Sequence, residues 1–300
     1  MKRRELFLTT AAALGAGTLR VQRSSPADVA RDLEDNVYTR VLGVRPHIGA
    51  HEHISRLSGS RMPEEVVDAL VEANRFFVDM NELSEAAGRR VAELLGAEAA
   101  LVTAGGFSSM ILAAAACLTG SDPERIDALP QADWPRRECL IQTAHRFDYD
   151  RAYRAAGMTI VEAKTRDELI GKIGERTAMI AALAAVEEQR QFGPPAPKKR
   201  ALPPEETTLM PGELIAIGKK SGVPVLVDMA SDLPPASNLT RWFREGADLV
   251  VVSGGKGLRG PQSTGILAGR KDLVEAAALN AAPNGNLGRG MKVGKEEIVA

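Results

Sequence analysis

VPVLVDMASDLPP (223–235) and GADLVVVSGGKGLRGPQSTGILAG (246–269) decide the fold. The runs Val225–Val227 and Leu249–Val252 are short, β-branched and apolar throughout, as expected of strands buried on both faces of a parallel sheet. Each stops abruptly in polar residues, the first delivering Asp228 and the second Lys256. In an open parallel sheet, ligands sit in the crevice beyond the carboxyl ends of the strands. An acid and a lysine leaving two such ends are therefore predicted to face one cavity.

That pair suits pyridoxal phosphate, which needs a lysine to bind its aldehyde covalently and an acid to keep its pyridine nitrogen protonated. Spacing alone leaves a surface lysine and a loop-capping aspartate open as alternatives. Ser253, Gly254 and Gly255 come just before Lys256, so a hydroxyl and open backbone can approach a phosphate. Nucleotide patterns fit worse: Lys256 is followed by Gly257 where a Walker loop needs Ser or Thr, and no G-x-G-x-x-G joins a strand to a helix.

LVDMASDLPP, GADLVVVSGGKGLRGPQSTGILAGRKDLVEAAALN and the tail GRGMKVGKEEIV resemble the selenocysteine synthase-like branch of fold-type-I pyridoxal phosphate enzymes. Within that branch they are similar to the D-glucosaminate-6-phosphate ammonia-lyase group. The resemblance runs from about Tyr38 to the end and is densest after Val223. It implies an α/β fold, the doubly wound, mostly parallel sheet of the fold-type-I large domain. It also implies an active site at a homodimer interface and a small amino compound as substrate. Lys256 and Asp228 take the two roles above, Ala230 packs on one ring face, and Ser253, Gly105 and Gly106 hold the phosphate.

The composition is that of an ordinary globular protein: 300 residues, 44% apolar, with a net charge of −1 that gives no electrostatic case for nucleic acid. Cys117 and Cys139 lie in apolar surroundings and read as small buried side chains. The first residues, MKRRELFLTTAAALGAGTLR, combine a basic start with an apolar stretch shorter than the roughly 20 residues that span a bilayer. Arg3 and Arg4 resemble a twin-arginine signal, so export of the folded, cofactor-loaded protein is expected, with an amphipathic helix on a cytoplasmic protein as the alternative.

Four segments are expected: a signal over 1–23, a helix and extended arm over 24–62, a cofactor-binding domain over 63–275 and the start of a truncated small domain over 276–300. Ser24–Tyr38 has helical spacing, and Val41–Met62 has no sustained period. The family's arm normally reads N-A-x-G-T-x-T, and here Gly49, Glu52, His53 and Ser55 replace its Asn, Gly, Thr and Thr. His51 and His53 share a strand face but lack a third metal ligand.

Helices are predicted over 63–78 and 81–96, then a strand Ala99–Val102 running into TAGGFSSMILAAAACL. A strand, two glycines and an apolar helix can cradle a phosphate on free N–H groups at the helix start, or form a tight turn with no ligand. Ala104 replaces the family's usual Ser, with Thr103 or Ser108 as the candidate substitute hydroxyl. Residues 120–137 read as a surface loop, followed by strand Cys139–Gln142. AHRFDYDRAYRAAG resembles a family segment whose histidine lies over the cofactor, so His145 is expected to stack on the ring and hold substrate or shuttle a proton; a turn histidine is the alternative.

A β–α–β stretch runs through MTIVEA, TRDELIGKIG and AMIAALAAV, then comes a polar, proline-rich lid or loop over 187–211 and a helix Gly212–Lys220. The expected activity is α,β-elimination of the ammonia-lyase type on an amino acid or amino sugar acid. Selenium transfer to seryl-tRNA and an exported, non-catalytic binding protein of the same fold are the alternatives.

Overall fold

A computed structural model describes residues 26–50, 53–192 and 208–300. The signal segment, His51, Glu52 and most of the predicted lid lie outside the described residues. The chain divides into two compact units, Met1–His51 and Glu52–Ala300.

In the first unit the predicted helix forms over Pro26–Glu34, shorter than the sequence suggested. Asn36 then breaks it, its side-chain carbonyl accepting the N–H groups of Tyr38 and Thr39. A helical turn over Tyr38–Leu42 replaces the expected extended start of the arm, and Gly43 ends that turn at φ 65°.

The second unit is built on a seven-stranded sheet. Its strands are β1 (Ala99–Thr103), β2 (Glu138–Gln142), β3 (Thr159–Ala163), β4 (Thr177–Leu183), β5 (Val225–Asp228), β6 (Leu249–Ser253) and β7 (Gly265–Gly269). Their order is β1-β7-β6-β5-β4-β2-β3. All pairs are parallel except those of β7, which runs antiparallel to β1 and β6 on either side of it.

Both faces are covered, as near-continuous apolar strands require. Alternation along each strand assigns the sides: Leu226 and Val251 join one core, Val225, Val227, Val250 and Val252 the other. Helices that pack around this sheet include α1 (Met80–Leu95), α2 (Gly106–Thr119), α3 (Pro211–Ser221), α4 (Asn238–Glu245) and α5 (Lys271–Asn280). Helix α2 is apolar nearly all round because the sheet lies on one side of it and α5 on another, with Ala113–Ala116 at most 1% exposed. The other core fills from α3 and α4, through Leu214, Ile215 and the fully buried Trp242.

Several expectations shift at element ends. The first predicted helix stops at Ala73, before Asn74, leaving Phe76 and Phe77 exposed. A short helix, Pro123–Ala128, stands inside the predicted 120–137 loop, capped by the Asp122 carboxylate. The run AMIAALAAV leaves the sheet at Leu183, and its Ala185 and Val186 open a helix, Ala185–Phe192, where the polar segment was expected to begin. The domain boundary at 276 falls inside α5, whose Ala276 and Ala277 belong to the main core. No described helix is long and apolar enough to cross a membrane.

Candidate active site

β5 and β6 end side by side, with Asp228 in register with Val251. The Asp228 side chain is buried, and its Oδ1 accepts the Ala230 N–H at 2.9 Å. Burial pushes this carboxyl up, while the Ala230 N–H and the charge of Lys256 pull it back down. The charge of Lys256 thus acts on Asp228.

Lys256 is half-buried in a turn over Gly254–Gly260, closed by Arg259 N–H to Lys256 O at 3.0 Å and Gly260 N–H to Gly254 O at 2.9 Å. The glycines around it are steric necessities. A side chain on Gly254 would overlap Thr264, one on Gly255 would overlap Gln262, and one on Gly257 would meet Leu233. The arm reaches this turn: Ser60 donates both N–H and hydroxyl to the Gly255 carbonyl, each at 3.0 Å. Gln262 reaches back to the Ser55 carbonyl, where the arm forms a short helical turn, Ser55–Leu57.

Opposite, β1 runs through Thr103 into the Gly105–Gly106 turn. Gly105 sits at φ 91° as the cap of α2. A Cβ on Gly106 would lie 3.6 Å from Ala230 Cβ and 4.0 Å from Ser253 Cβ, so these three predicted residues meet at one edge of the sheet. The turn is seated by Gly265 of β7, where a Cβ would come within 2.8 Å of the Gly106 nitrogen.

The N–H groups of Gly106, Phe107 and Ser108 make no backbone hydrogen bond among the described residues, which leaves a helix start open to an anion. The expected replacement hydroxyl is not available there. Ser108 Oγ donates to the Ala104 carbonyl at 2.9 Å, and Thr103 Oγ1 is shared with Ser109 Oγ at 2.6 Å. The cradle is one of backbone donors.

His145 comes just after β2 and is fully buried. Its Nδ1 accepts the Leu183 N–H at 2.9 Å, which fixes Nε2 as the protonated nitrogen, and Nε2 donates to the Leu209 carbonyl at 2.8 Å. Burial lowers its pKa to about 4 against the pull of these two backbone bonds. Leu183 pairs with Asp228 across β4 and β5, so the ring stands one strand from the acid. Both nitrogens are committed to backbone, which corrects the expectation that they hold substrate or shuttle a proton; the ring offers only its faces.

One residue escaped the sequence reading. Asp232 is raised to about 7, first by burial and then by the charges of Asp228, Glu188 and Glu187, with Lys256 opposing. The visible signal was DMASD, which sets two acids four positions apart just past a strand.

The chain is 35% identical over 268 residues to 5'-C-glycyluridine monooxygenase-decarboxylase of a Streptomyces species, covering 86% of this chain and 62% of the relative. It is 29% identical over 273 residues to D-glucosaminate-6-phosphate ammonia lyase of Salmonella typhimurium, covering 88% of this chain and 68% of that one. A solved structure of D-glucosaminate-6-phosphate ammonia-lyase superposes with a TM-score of 0.75 at 27% identity, covering 88% of this chain and 68% of that chain. The chain shares the fold of the fold-type-I pyridoxal phosphate enzymes and is similar to those of the selenocysteine synthase-like branch.

No family model matches the sequence. The chain thus spans about two thirds of the length of these pyridoxal phosphate relatives. Its residues fit the cofactor on their own terms. A buried carboxylate with no cation in hydrogen-bond contact suits a protonated ring nitrogen, the three N–H groups at the start of α2 suit a phosphate, and a half-buried lysine lies within electrostatic reach of the acid. The missing side chain of Gly106 keeps the slot between Ala230 and Ser253 open.

Proposed function

We propose that this protein is a pyridoxal phosphate-dependent lyase that carries out α,β-elimination of the ammonia-lyase type on a small amino acid or amino sugar acid. The observation that carries the reading is Asp228, buried at the end of β5 within the field of Lys256. The likeness to D-glucosaminate-6-phosphate ammonia lyase supports the reaction class.

The cofactor, when bound, supplies an electron sink for the pair left by the α-proton. The chain's residues do the rest. Lys256 would hold the aldehyde, and its amine would accept the α-proton of the substrate. Asp228 holds a proton on the ring nitrogen, stabilised there because both partners are out of water. The N–H groups of Gly106, Phe107 and Ser108 hold the phosphate, and Ala230 and the face of His145 orient the ring.

A second reading is favoured by the 35% identity to the glycyluridine monooxygenase-decarboxylase: loss of the α-carboxylate, with oxygen as co-reactant. One experiment separates them. The protein loaded with pyridoxal phosphate is given serine or D-glucosaminate 6-phosphate, and ammonia, oxygen uptake and α-proton exchange in deuterated water are monitored. Ammonia with α-exchange and no oxygen uptake supports elimination. Oxygen uptake with carbon dioxide release supports the second reading, and absence of every signal argues for a non-catalytic binding protein.

Selenium transfer, the activity named for relatives that match at 28% identity, receives no support from the net charge of −1. Export through the Arg3-Arg4 motif and assembly as a homodimer belong to the same proposal. Secretion of a reporter fusion that fails when both arginines become lysine tests the first, and light scattering tests the second.

A further inference from the structure

The loop after β5 carries an acid for which the mechanism above has no task. Asp232 Oδ1 is buried and has no hydrogen-bond partner. Its backbone is fixed, the N–H donating to the Met229 carbonyl at 3.1 Å and the carbonyl accepting Asn238 Nδ2 at 2.8 Å. Leu233, the next residue, packs directly on Gly257, where a Cβ would lie 2.7 Å from the Leu233 carbonyl oxygen. Asp232 and Lys256 therefore stand one residue to either side of a direct contact between their loops.

Asp232 also lines a cavity of about 230 Å³ with Ala184, Glu187, Glu188, Asn238 and Trp242. Ala184 directly follows β4 and its N–H donates to the Asp228 carbonyl at 2.9 Å, so the cavity adjoins the carboxyl edge that holds the site. Three of the other candidates for acid chemistry at this edge are already engaged, and a fourth, Glu188, is exposed to water. Asp228 takes the Ala230 N–H, Glu187 is held by both terminal nitrogens of Arg241 at 2.6 and 3.0 Å, and both nitrogens of His145 are bound to backbone. With Oδ1 out of water and unpartnered, the protonated form of the Asp232 carboxyl is favoured, because ionisation would place charge on an atom that water does not reach.

We propose that Asp232 is a catalytic residue that protonates the departing hydroxyl of a β-hydroxy amino acid substrate bound at the carboxyl edge, with the adjoining cavity as its path to solvent. The inference rests on the elimination reading and names its missing acid. In the step, the α-proton passes to the Lys256 amine, the pair it leaves forms the Cα=Cβ bond, and the Cβ–O bond breaks with its electron pair going to oxygen. The Asp232 O–H supplies the proton, so oxygen leaves as water and Asp232 is left as a carboxylate, to be reprotonated from solvent through the cavity. Burial first, and then the charges of Asp228, Glu188 and Glu187 against that of Lys256, raise its pKa to about 7, and the Arg241 cation that also lines the cavity is paired with Glu187.

The test compares wild type and Asp232→Asn, both loaded with pyridoxal phosphate, on serine and on β-chloroalanine, whose chloride leaves without a proton. Asp232→Asn is expected to lose roughly a hundredfold or more in kcat on serine, the lower end of what a general acid contributes, and to stay within about threefold of wild type on β-chloroalanine. Equal losses on both substrates, or a loss on neither, overturn the proposal. If the wild type turns over neither substrate, the elimination reading fails and this assignment falls with it, whereas turnover by the wild type with equal losses in Asp232→Asn removes the assignment alone.

Discussion

His145 Nε2 lies 2.8 Å from the Leu209 carbonyl oxygen, and Gln142 Oε1 accepts the Leu209 N–H at the same distance. The two side chains thus grip one residue's backbone from both ends, pinning the segment that leads into α3 against the end of β2. Replacing His145 by Leu leaves the Leu183 N–H and the Leu209 carbonyl without partners, at a cost of about 2–5 kcal/mol. Denaturant unfolding at neutral pH measures the loss.

The same ring gives a pH dependence of known sign. Its pKa is about 4 in the folded chain, below the 6.5 of a free histidine, so the unfolded state binds more protons between these values. The stability contributed by the neutral ring is fully present above about 6.5 and is lost as pH falls toward 4, on the order of 3 kcal/mol in all. Asp232, raised to about 7 from an ordinary 3.8, acts in the opposite sense: its contribution is full below about 4 and is lost as pH rises through 7. Unfolding at stepped pH should show a steeper acid loss in Asp232→Asn and a shallower one in His145→Leu than in wild type.

Lys256→Ala is expected to fold as wild type, because the turn around it is closed by backbone bonds and its stability change should stay within about 0.5 kcal/mol. The variant should no longer retain pyridoxal phosphate through gel filtration under conditions where wild type does. Retention by the variant would remove Lys256 from its assigned role.

Asp228→Asn keeps the shape of the side chain and the contact with the Ala230 N–H but cannot hold a proton on the ring nitrogen. Turnover should fall by about a hundredfold or more while the cofactor still binds. Asp228→Ala should weaken cofactor binding as well, as read from equilibrium titration of the cofactor's absorbance.

Gly265→Ala tests the phosphate cradle from behind. The new Cβ would lie 2.5 Å from the Gly105 carbonyl carbon, so the Gly105–Gly106 turn must shift, at about 1–3 kcal/mol. Cofactor affinity should drop with it, whereas Gly96→Ala, whose Cβ meets nothing within 4 Å, should lower stability through its left-handed φ of 69° without touching affinity.

β5 and β6 were legible because parallel strands covered on both faces read as short apolar runs, and their polar ends named Asp228 and Lys256 directly. β7 was not, since GILAG begins and ends in glycine and its antiparallel course depends on partners far away in sequence. The helix Pro123–Ala128 did leave a signal, an aspartate before Pro123, hidden by the loop-like composition around it. The hydroxyls of Thr103 and Ser108 looked available because sequence cannot show that a neighbouring carbonyl or Ser109 takes them first. Asp232 was missed for a related reason: its pKa is set by burial and by Glu187 and Glu188 on another element.

The wedging of β7 between β1 and β6 also orders events during synthesis. The Gly105–Gly106 turn leaves the ribosome early, yet the backbone it rests on arrives only with Gly265, after Lys256. The two halves of the cradle are therefore made about 160 residues apart, and the nascent chain cannot complete it before β7 has been synthesised.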